Sequence, residues 1–163
     1  DDGDLIDFVA HVLAHYRVSP GSLCLEVTEA DLISDTALVV DQLARIKELG
    51  VRLAIDDFGT GFATLDYLRR FATADVLKVD ASFAAGVTDP ASHDLAIVSA
   101  AMVLADALGF ETVAEGIETE GQREVFARLG CEKAQGFLFS PPVEAADIDE
   151  MLRIRRAEES VAT

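Results

Sequence analysis

The sequence has little positive charge. It contains 13 lysine and arginine residues against 30 aspartate and glutamate residues, a formal net charge of −17 at pH 7. Proteins that bind polymeric DNA or RNA carry basic patches that displace counterions from phosphates. We therefore expect no nucleic-acid polymer as a partner. A small anionic ligand is compatible with this charge, because bound divalent cations reverse the local charge of an acidic site.

Cysteine and long apolar runs are also scarce. Cys24 and Cys131 are far apart and form no Cys-x-x-Cys pair, which predicts two buried thiols in a reducing compartment and no disulfide framework. The longest apolar run, LAIVSAAMVLADALGF, is interrupted by Asp106 and falls short of the roughly 18 residues of a membrane span. We expect no membrane contact from this segment. The first residues have no basic region or cleavage site, so we expect no signal peptide and a chain cut from a longer protein.

What the sequence does contain is a regular alternation of helical and strand-like segments. With 163 residues, half of them hydrophobic, it predicts one globular domain, residues 1–163. Leu-Gly followed by a short strand-like run occurs three times, with Gly50, Gly109 and Gly130 where a helix would end and a buried strand begin. Ser92 is a candidate helix cap, and Thr119 with Gln122 has the spacing of a capping box. Five strands alternating with helices predict an α/β fold with a parallel sheet and right-handed crossovers.

Polar residues cluster after each predicted strand. In chain order they are Glu26, Glu29, Asp56, Asp57, Lys78, Asp80, Glu115, Glu118 and Gln135. The carboxyl ends of parallel strands form the edge where α/β enzymes build their active sites. A single acidic residue there is usually a helix cap or a solvated turn, but that explanation is poor for the whole set.

So many carboxylates at one edge repel one another unless positive charge lies among them. Divalent metal ions with oxygen ligands supply that charge, and Lys78 is a second source. The adjacent residues Asp56 and Asp57 could each reach a different ion if the backbone twists at the end of the strand. That arrangement is typical of two-metal sites for attack of water on a phosphodiester.

Five segments in order, LEVTE, AIDDFGTGF, LKVD with SF, VAEGIE and QGFLF, resemble the EAL domain family of cyclic-di-GMP phosphodiesterases. The resemblance extends from about residue 4 to about residue 152. It implies a TIM-type (β/α) barrel that uses Mg²⁺ or Mn²⁺ to hydrolyse cyclic di-GMP to linear pGpG, with Ca²⁺ as an inhibitor. It also implies a bacterial cytoplasmic signalling protein, alone or as the cytoplasmic part of a membrane protein. A homodimer and an attached sensor or diguanylate cyclase domain are further implied.

The resemblance assigns roles to the residues at the strand ends. Three groups of residues are involved: Glu26, Asp56 and Asp57 as metal ligands; Lys78, Glu115 and Asp57 in catalysis; and Glu118 and Gln135 in substrate binding. A further group resembles the residues that couple dimerisation to metal binding: Glu29, Phe58, Gly59, Thr60 and Gly61.

The sequence departs from the family in several places. The Glu-Ala-Leu segment and the following strand with an asparagine, each with a metal ligand, are not in this chain. Roughly three of the eight strands of a barrel of about 250 residues are missing, so we expect only about the last five strand/helix units. Pro141 stands where the family usually has a basic residue, and RRFATADVLK is one residue longer than usual. We expect the chain alone to be inactive or to be completed by other residues, with exposed edges at the strands that begin at Leu23 and end at Phe139.

Other motifs support weaker interpretations. His11 and His15 have the spacing of helical zinc ligands but lack the glutamate of His-Glu-x-x-His, so a solvated helix face is the better explanation. The Asp-Phe-Gly segment lacks the other kinase motifs. Gly59 and Gly61 fit a phosphate cradle or a simple turn equally well. No histidine lies near the end of a predicted strand, which argues against catalysis by a serine or cysteine nucleophile.

Three functional hypotheses follow. The first is a metal-dependent phosphodiesterase for cyclic di-GMP, favoured by the acidic residues that this chain retains. The second is a non-catalytic domain of the same fold that senses the dinucleotide or binds a partner protein. The third is another metal-dependent α/β-barrel enzyme, which assays with other phosphodiesters would distinguish.

Overall fold

The computed structural model describes residues 3–28, 36–60, 71 and 73–161. The helices are α1 (Gly3–Tyr16), α2 (Thr36–Glu48), α3 (His93–Leu108), α4 (Glu120–Arg128) and α5 (Ala145–Val161), with 3₁₀ turns at Pro20–Ser22 and Ala81–Phe83. The strands are β1 (Cys24–Thr28), β2 (Arg52–Phe58), β3 (Val76–Val79), β4 (Glu111–Ala114) and β5 (Lys133–Ala134).

The five strands form one parallel sheet in the order β1-β2-β3-β4-β5. Sequential order with a helix after most strands is the arrangement of a (β/α) barrel. The predicted α/β fold and parallel sheet are therefore confirmed. The register pairs Thr28 with Asp56 and Val79 with Ala114, so the carboxyl ends of the strands lie along one edge. We call this edge the rim.

Local sequence signals set the helix boundaries. Gly50, Gly109 and Gly130 have φ angles of 85°, 75° and 88°, the left-handed conformation that ends helices at low cost. The Ser92 side chain accepts a hydrogen bond from the Asp94 N–H. At α4, Thr119 and Gln122 form the predicted capping box, which satisfies N–H groups that the first helical turn leaves free.

The buried apolar residues form three clusters. One contains Val79, Val98, Ile117 and Phe126, a second contains Ile55, Leu77 and Phe110, and the third contains Ile6, Val9, Leu13, Ile46 and Leu53. Each cluster joins residues of the strands to residues of the helices. This packing holds the strands in place, and thereby the residues that follow them.

The structure corrects the expectation about the cysteines. Cys24 is exposed and Cys131 is only partly buried, so the prediction of two buried thiols was wrong. Cys24 opens β1, which pairs with only one strand among those described. On α1 the buried stripe is Ile6, Val9 and Leu13, whereas Leu5 and Tyr16 are exposed.

The predicted solvated face of α1 is confirmed, since His11 and His15 are exposed and stack on each other at 5.9 Å between ring centroids. The two outer strands, β1 and β5, each pair with one neighbour in the described sheet. Phe137 and Phe139, which follow β5, are exposed. None of the described helices combines the length and the apolar character that crossing a membrane would require.

Candidate active site

Lys78 is the centre of the rim. Its Nζ atom lies 2.8 Å from Glu26 Oε2, 2.8 Å from Asp56 Oδ1 and 2.7 Å from Glu115 Oε1. The lysine side chain is only 7% exposed, whereas Glu26 is half exposed. One buried cation on β3 therefore gathers carboxylates from β1, β2 and the end of β4.

Burial by itself lowers the pKa of Lys78, but its interactions with Asp56, Glu115 and Glu26 outweigh burial and raise the pKa above its ordinary value. Lys78 is therefore positively charged at any physiological pH. A fixed positive charge among carboxylates lowers their mutual repulsion.

The conformation of Asp57 explains how two adjacent aspartates serve one site. Neighbouring side chains in a regular strand point to opposite faces of the sheet. Asp57 has a φ of 55°, and the pairing of β2 with β3 shifts register between Ile55 and Phe58. This irregularity brings the carboxylates of Asp56 and Asp57 together. Two adjacent aspartates can serve one site only with such a twist, and the structure contains it.

Three carboxylates offer a candidate metal site. Among the described residues, Asp56, Asp57 and Glu115 each contribute an oxygen, and the three oxygens lie within 4.8 Å of one another. Asp56 Oδ1 is buried and accepts no hydrogen bond of normal geometry from the described residues, although Lys78 Nζ is near it. Magnesium and manganese prefer hard oxygen donors of this kind. The donor set therefore fits a divalent cation.

Glu115 is held from two sides. Gln135 Nε2 donates a hydrogen bond of 2.6 Å to the same oxygen that faces Lys78. Burial raises the pKa of Glu115, and repulsion by Asp56 and Glu26 adds to the effect, while Lys78 opposes it. The pKa stays above its ordinary value. A carboxylate of this kind accepts a proton more readily than an exposed glutamate.

Glycines let the loops of the rim approach one another closely. A Cβ atom on Gly59 would lie 2.7 Å from the Phe83 ring, and one on Gly116 would lie 2.5 Å from Ala81 Cβ. A Cβ atom on Gly136 would lie 2.3 Å from the backbone of Ile117. The loops after β2 and β4 thus pack against the 3₁₀ turn that follows β3, and the loop after β5 packs against the loop after β4.

The other predicted residues lie as follows. Glu118 is exposed, and its N–H donates to Gln122 Oε1 at 2.8 Å. The Asp80 side chain accepts from Ser82 N–H at 3.0 Å and caps the 3₁₀ turn. Phe58 is partly buried against the second core cluster, and Thr60 donates from Oγ1 to the Asp57 carbonyl at 2.9 Å. Glu29 and Gly61 lie outside the described residues.

Two features were missed by the sequence analysis. At the opposite end of the sheet, Glu111 pairs with Arg52 at 3.2 Å and with Lys133 at 2.7 Å. Each of these residues is the first residue of a strand. A charged residue at that position was the signal in the sequence that could have predicted these ion pairs. The second feature is the hydrogen bond from Gln122 to the Ala84 carbonyl, in a loop beyond its own helix. The sequence pattern indicated only the capping role of Gln122.

Comparison with known proteins agrees with this geometry. The EAL domain family model matches residues 1–142. NbdA, a cyclic di-GMP phosphodiesterase of Pseudomonas aeruginosa, is 43% identical over 153 residues, 93% of this chain and 19% of NbdA. MucR of the same organism, a bifunctional diguanylate cyclase/cyclic di-GMP phosphodiesterase, is 40% identical over 144 residues, 88% of this chain and 21% of MucR.

Solved structures show the same likeness. The PaMucR phosphodiesterase in complex with c-di-GMP superposes with a TM-score of 0.82 at 41% identity, covering 88% of this chain and 57% of that chain. A manganese/cyclic di-GMP complex of Klebsiella pneumoniae BlrP1 superposes with a TM-score of 0.79 at 33% identity, covering 85% of this chain and 35% of that chain.

The chain spans about a quarter or less of the length of the first curated relatives that it matches, 24% and 19% in two cases. The solved neighbours are TIM-type barrels, and the five strand/helix units described above form part of such a barrel. The family model, the relatives and the strand-end residues agree, and the chain belongs to the EAL domain family.

Proposed function

We propose that the protein is a signalling phosphodiesterase that hydrolyses cyclic di-GMP to linear pGpG with Mg²⁺ or Mn²⁺. The observation that carries this proposal is the convergence of Asp56, Asp57 and Glu115 within 4.8 Å beside the buried Lys78. The manganese and calcium complexes of BlrP1 with cyclic di-GMP support the choice of ligand and metals.

Each residue has a defined task in this reaction. Asp56 and Asp57 hold the divalent cation, with Glu26 as a further ligand, and the cation supplies Lewis-acid activation of water and charge neutralisation at the phosphate. Glu115 accepts the proton of the attacking water at its carboxylate. Lys78 and Gln135 fix the orientation of Glu115, and the charge of Lys78 also stabilises the negative charge that grows on the phosphate oxygens.

Hydrolysis forms one bond to phosphorus and breaks another. The water oxygen forms a bond to phosphorus, and one ribose P–O bond breaks. The oxygen that leaves takes up a proton and becomes a ribose hydroxyl. The cyclic dinucleotide therefore opens to a linear product with one terminal phosphate, without any further reactant. In this proposal Glu118 and Gln135 contact the substrate at the rim.

The complete protein provides the test. With Mn²⁺ or Mg²⁺ we expect conversion of cyclic di-GMP to pGpG, measured by chromatography, and Asp56→Ala or Glu115→Ala abolishes turnover. Asp106→Ala, an exposed carboxylate on α3, is the matched control and keeps activity. Retained hydrolysis in either rim variant contradicts the assigned roles.

A titration with cyclic di-GMP in Ca²⁺, which we expect to prevent turnover, separates binding from catalysis. Binding without hydrolysis in Mn²⁺ or Mg²⁺ would identify a sensor domain instead. Hydrolysis of other phosphodiesters but not of cyclic di-GMP would identify a different enzyme of the same fold.

The assembly and location belong to the same proposal. Residues 1–163 act as one EAL-type domain of a cytoplasmic bacterial protein, which works as a homodimer through the loop at Phe58–Thr60 together with Glu29 and Gly61. The bifunctional description of MucR supports an attached diguanylate cyclase or sensor domain. Light scattering of the complete protein tests the dimer, and a monomer that is fully active contradicts it.

A further inference from the structure

Gln122 makes contacts with two different loops of the rim. Its Oε1 atom accepts hydrogen bonds from the N–H groups of Glu118 and Thr119, at 2.8 and 2.9 Å. Its Nε2 atom donates a hydrogen bond of 2.9 Å to the carbonyl of Ala84, which is 38 residues away. The first pair of bonds is an ordinary helix cap, whereas the bond to Ala84 is a tertiary contact.

Each of the two loops lies next to a residue proposed for catalysis. The loop that contains Ala84 follows β3, which carries Lys78, and the loop that contains Glu118 follows β4 and begins with Glu115. Other contacts also hold each loop in place. Gly116 lies against Ala81, and the Ile117 N–H donates to the Gln135 carbonyl at 3.0 Å.

We propose that Gln122 is a positioning residue whose side-chain amide ties the loop after Lys78 to the loop after Glu115. The inference rests on the proposed function in one respect, because the position of the two loops affects catalysis only through Lys78 and Glu115. Neither Lys78 nor Glu115 touches Gln122 in the described contacts, so the effect is transmitted through the backbone. Ala84 is buried, and Ile117 is fully buried, which gives the connection a rigid support.

One substitution can remove the hydrogen bond from Gln122 to Ala84, which we call the tie, and keep the helix cap that Gln122 forms with Glu118 and Thr119. A glutamate at this position keeps a side-chain oxygen for the N–H groups of Glu118 and Thr119, as in an ordinary capping box. It has no N–H for the Ala84 carbonyl, and its negative charge would face that carbonyl oxygen. Gln122→Glu therefore removes the tie and leaves the cap.

Hydrogen exchange tests the tie without any substrate. In Gln122→Glu we expect a melting temperature close to that of the unaltered chain and about tenfold lower protection of the Ile117 and Ala84 amides, the size of effect that one hydrogen bond gives. Unchanged protection at both amides overturns the proposal. Thr119→Ala is the matched control, because it removes the Oγ1 acceptor of the cap without changing the Gln122 side chain. Loss of protection at Ala84 in this control would assign the effect to capping and also overturn the proposal.

A measurement on the unaltered chain is independent of how the variants fold. One side-chain amide proton of Gln122 should exchange more slowly than that of a free glutamine, because it is bonded to Ala84. Exchange of both protons at the free rate contradicts the tie.

Kinetics then test the positioning role. In the complete protein with Mn²⁺, Gln122→Glu should lower kcat about tenfold, while the affinity for cyclic di-GMP in Ca²⁺ stays within a few-fold. An unchanged kcat overturns the positioning role. If the unaltered protein does not hydrolyse cyclic di-GMP, the proposed function fails, but the exchange measurements still decide whether the tie exists.

Discussion

Lys78 Nζ lies 2.7 Å from Glu115 Oε1, and each of these two residues has a pKa above its ordinary value. Burial lowers the pKa of Lys78, but its carboxylate partners outweigh burial and raise it, whereas burial itself raises the pKa of Glu115. The lysine is nearly buried and serves three carboxylates at once. A cation held by Asp56, Asp57 and Glu26 would share two of its carboxylates, those of Asp56 and Glu26, with Lys78. The lysine and the metal therefore act on the same group of charges, which leads to the first prediction.

Lys78→Met should destabilise the metal-free protein. It leaves Glu26, Asp56 and Glu115 without their shared counter-ion, and we expect a loss of roughly 2 kcal/mol in the free energy of unfolding, below the usual cost of breaking a fully buried pair because Glu26 is half exposed. Mn²⁺ should raise the melting temperature of this variant more than that of the unaltered protein, since the ion then has to neutralise more charge.

The matched control for this experiment is Lys47→Met. Lys47 pairs with Asp75 at 2.6 Å, away from the rim. This variant should also lose stability, but its melting temperature should respond to Mn²⁺ as the unaltered protein does. An equal response to Mn²⁺ in both lysine variants would argue against a shared set of charges.

Asp57→Gly should separate the carboxylate from the backbone conformation. Glycine adopts the left-handed φ of 55° without a steric cost, which offsets its greater freedom in the unfolded chain. We expect an unfolding free energy within about 1 kcal/mol of the unaltered protein. The affinity for Mn²⁺, measured by calorimetry, should fall by at least about tenfold, because a ligand is lost. Asp57→Asn keeps a residue that tolerates this conformation and serves as the control; tight Mn²⁺ binding by the glycine variant would contradict the assignment.

Gly116→Ala should disturb both the fold and the site. The added Cβ atom would lie 2.5 Å from Ala81 Cβ, and overpacking of this kind costs about 1–3 kcal/mol. Because Gly116 follows Glu115, we also expect a lower kcat. Urea unfolding and the pGpG assay measure the two effects.

Gly109→Ala is the control for this substitution. Gly109 has a similar φ of 75° with no atom within 4 Å of a built Cβ, so it carries the backbone cost of about 1 kcal/mol without a clash. Its activity should be unchanged. Equal losses of stability in the two alanine variants would show that packing against Ala81 is unimportant.

Asp75→Asn should change how stability depends on pH. Burial alone would raise the pKa of Asp75, but the hydrogen bonds from Lys47 and from Leu53 N–H outweigh burial and lower the pKa below its ordinary value of 3.8. A lowered folded-state pKa means that this carboxylate contributes stability above pH 3.8, which is lost as the pH falls through the folded-state pKa.

Urea unfolding between pH 7 and pH 3 gives the test. The unaltered protein should exceed Asp75→Asn by about 1 kcal/mol at neutral pH, a modest value because the ion pair is partly exposed. The difference should decrease as the pH falls below 3.8. Glu150→Gln, which removes an exposed ion pair with Arg153, is expected to have no measurable effect, and a pH-independent difference for Asp75→Asn would exclude the proposed linkage.

Local patterns were sufficient to predict much of this fold. The glycines after α2, α3 and α4 and the caps at Ser92 and Thr119 are determined by neighbours within a few residues, because helix ends are satisfied locally. The exposure of Cys24 could not be predicted in this way. It depends on which strand lies at the edge of the sheet, and that is a property of the whole fold.

The candidate site shows the same division. The sequence by itself determined which residues follow each strand, and parallel pairing requires that these strand ends share one edge. Only the tertiary structure decided that Lys78 contacts three of the carboxylates, that Asp57 turns left-handed to join Asp56, and that Gln122 reaches Ala84. These contacts depend on distances between segments far apart in the chain, which the packing of helices on the sheet sets and no local pattern encodes.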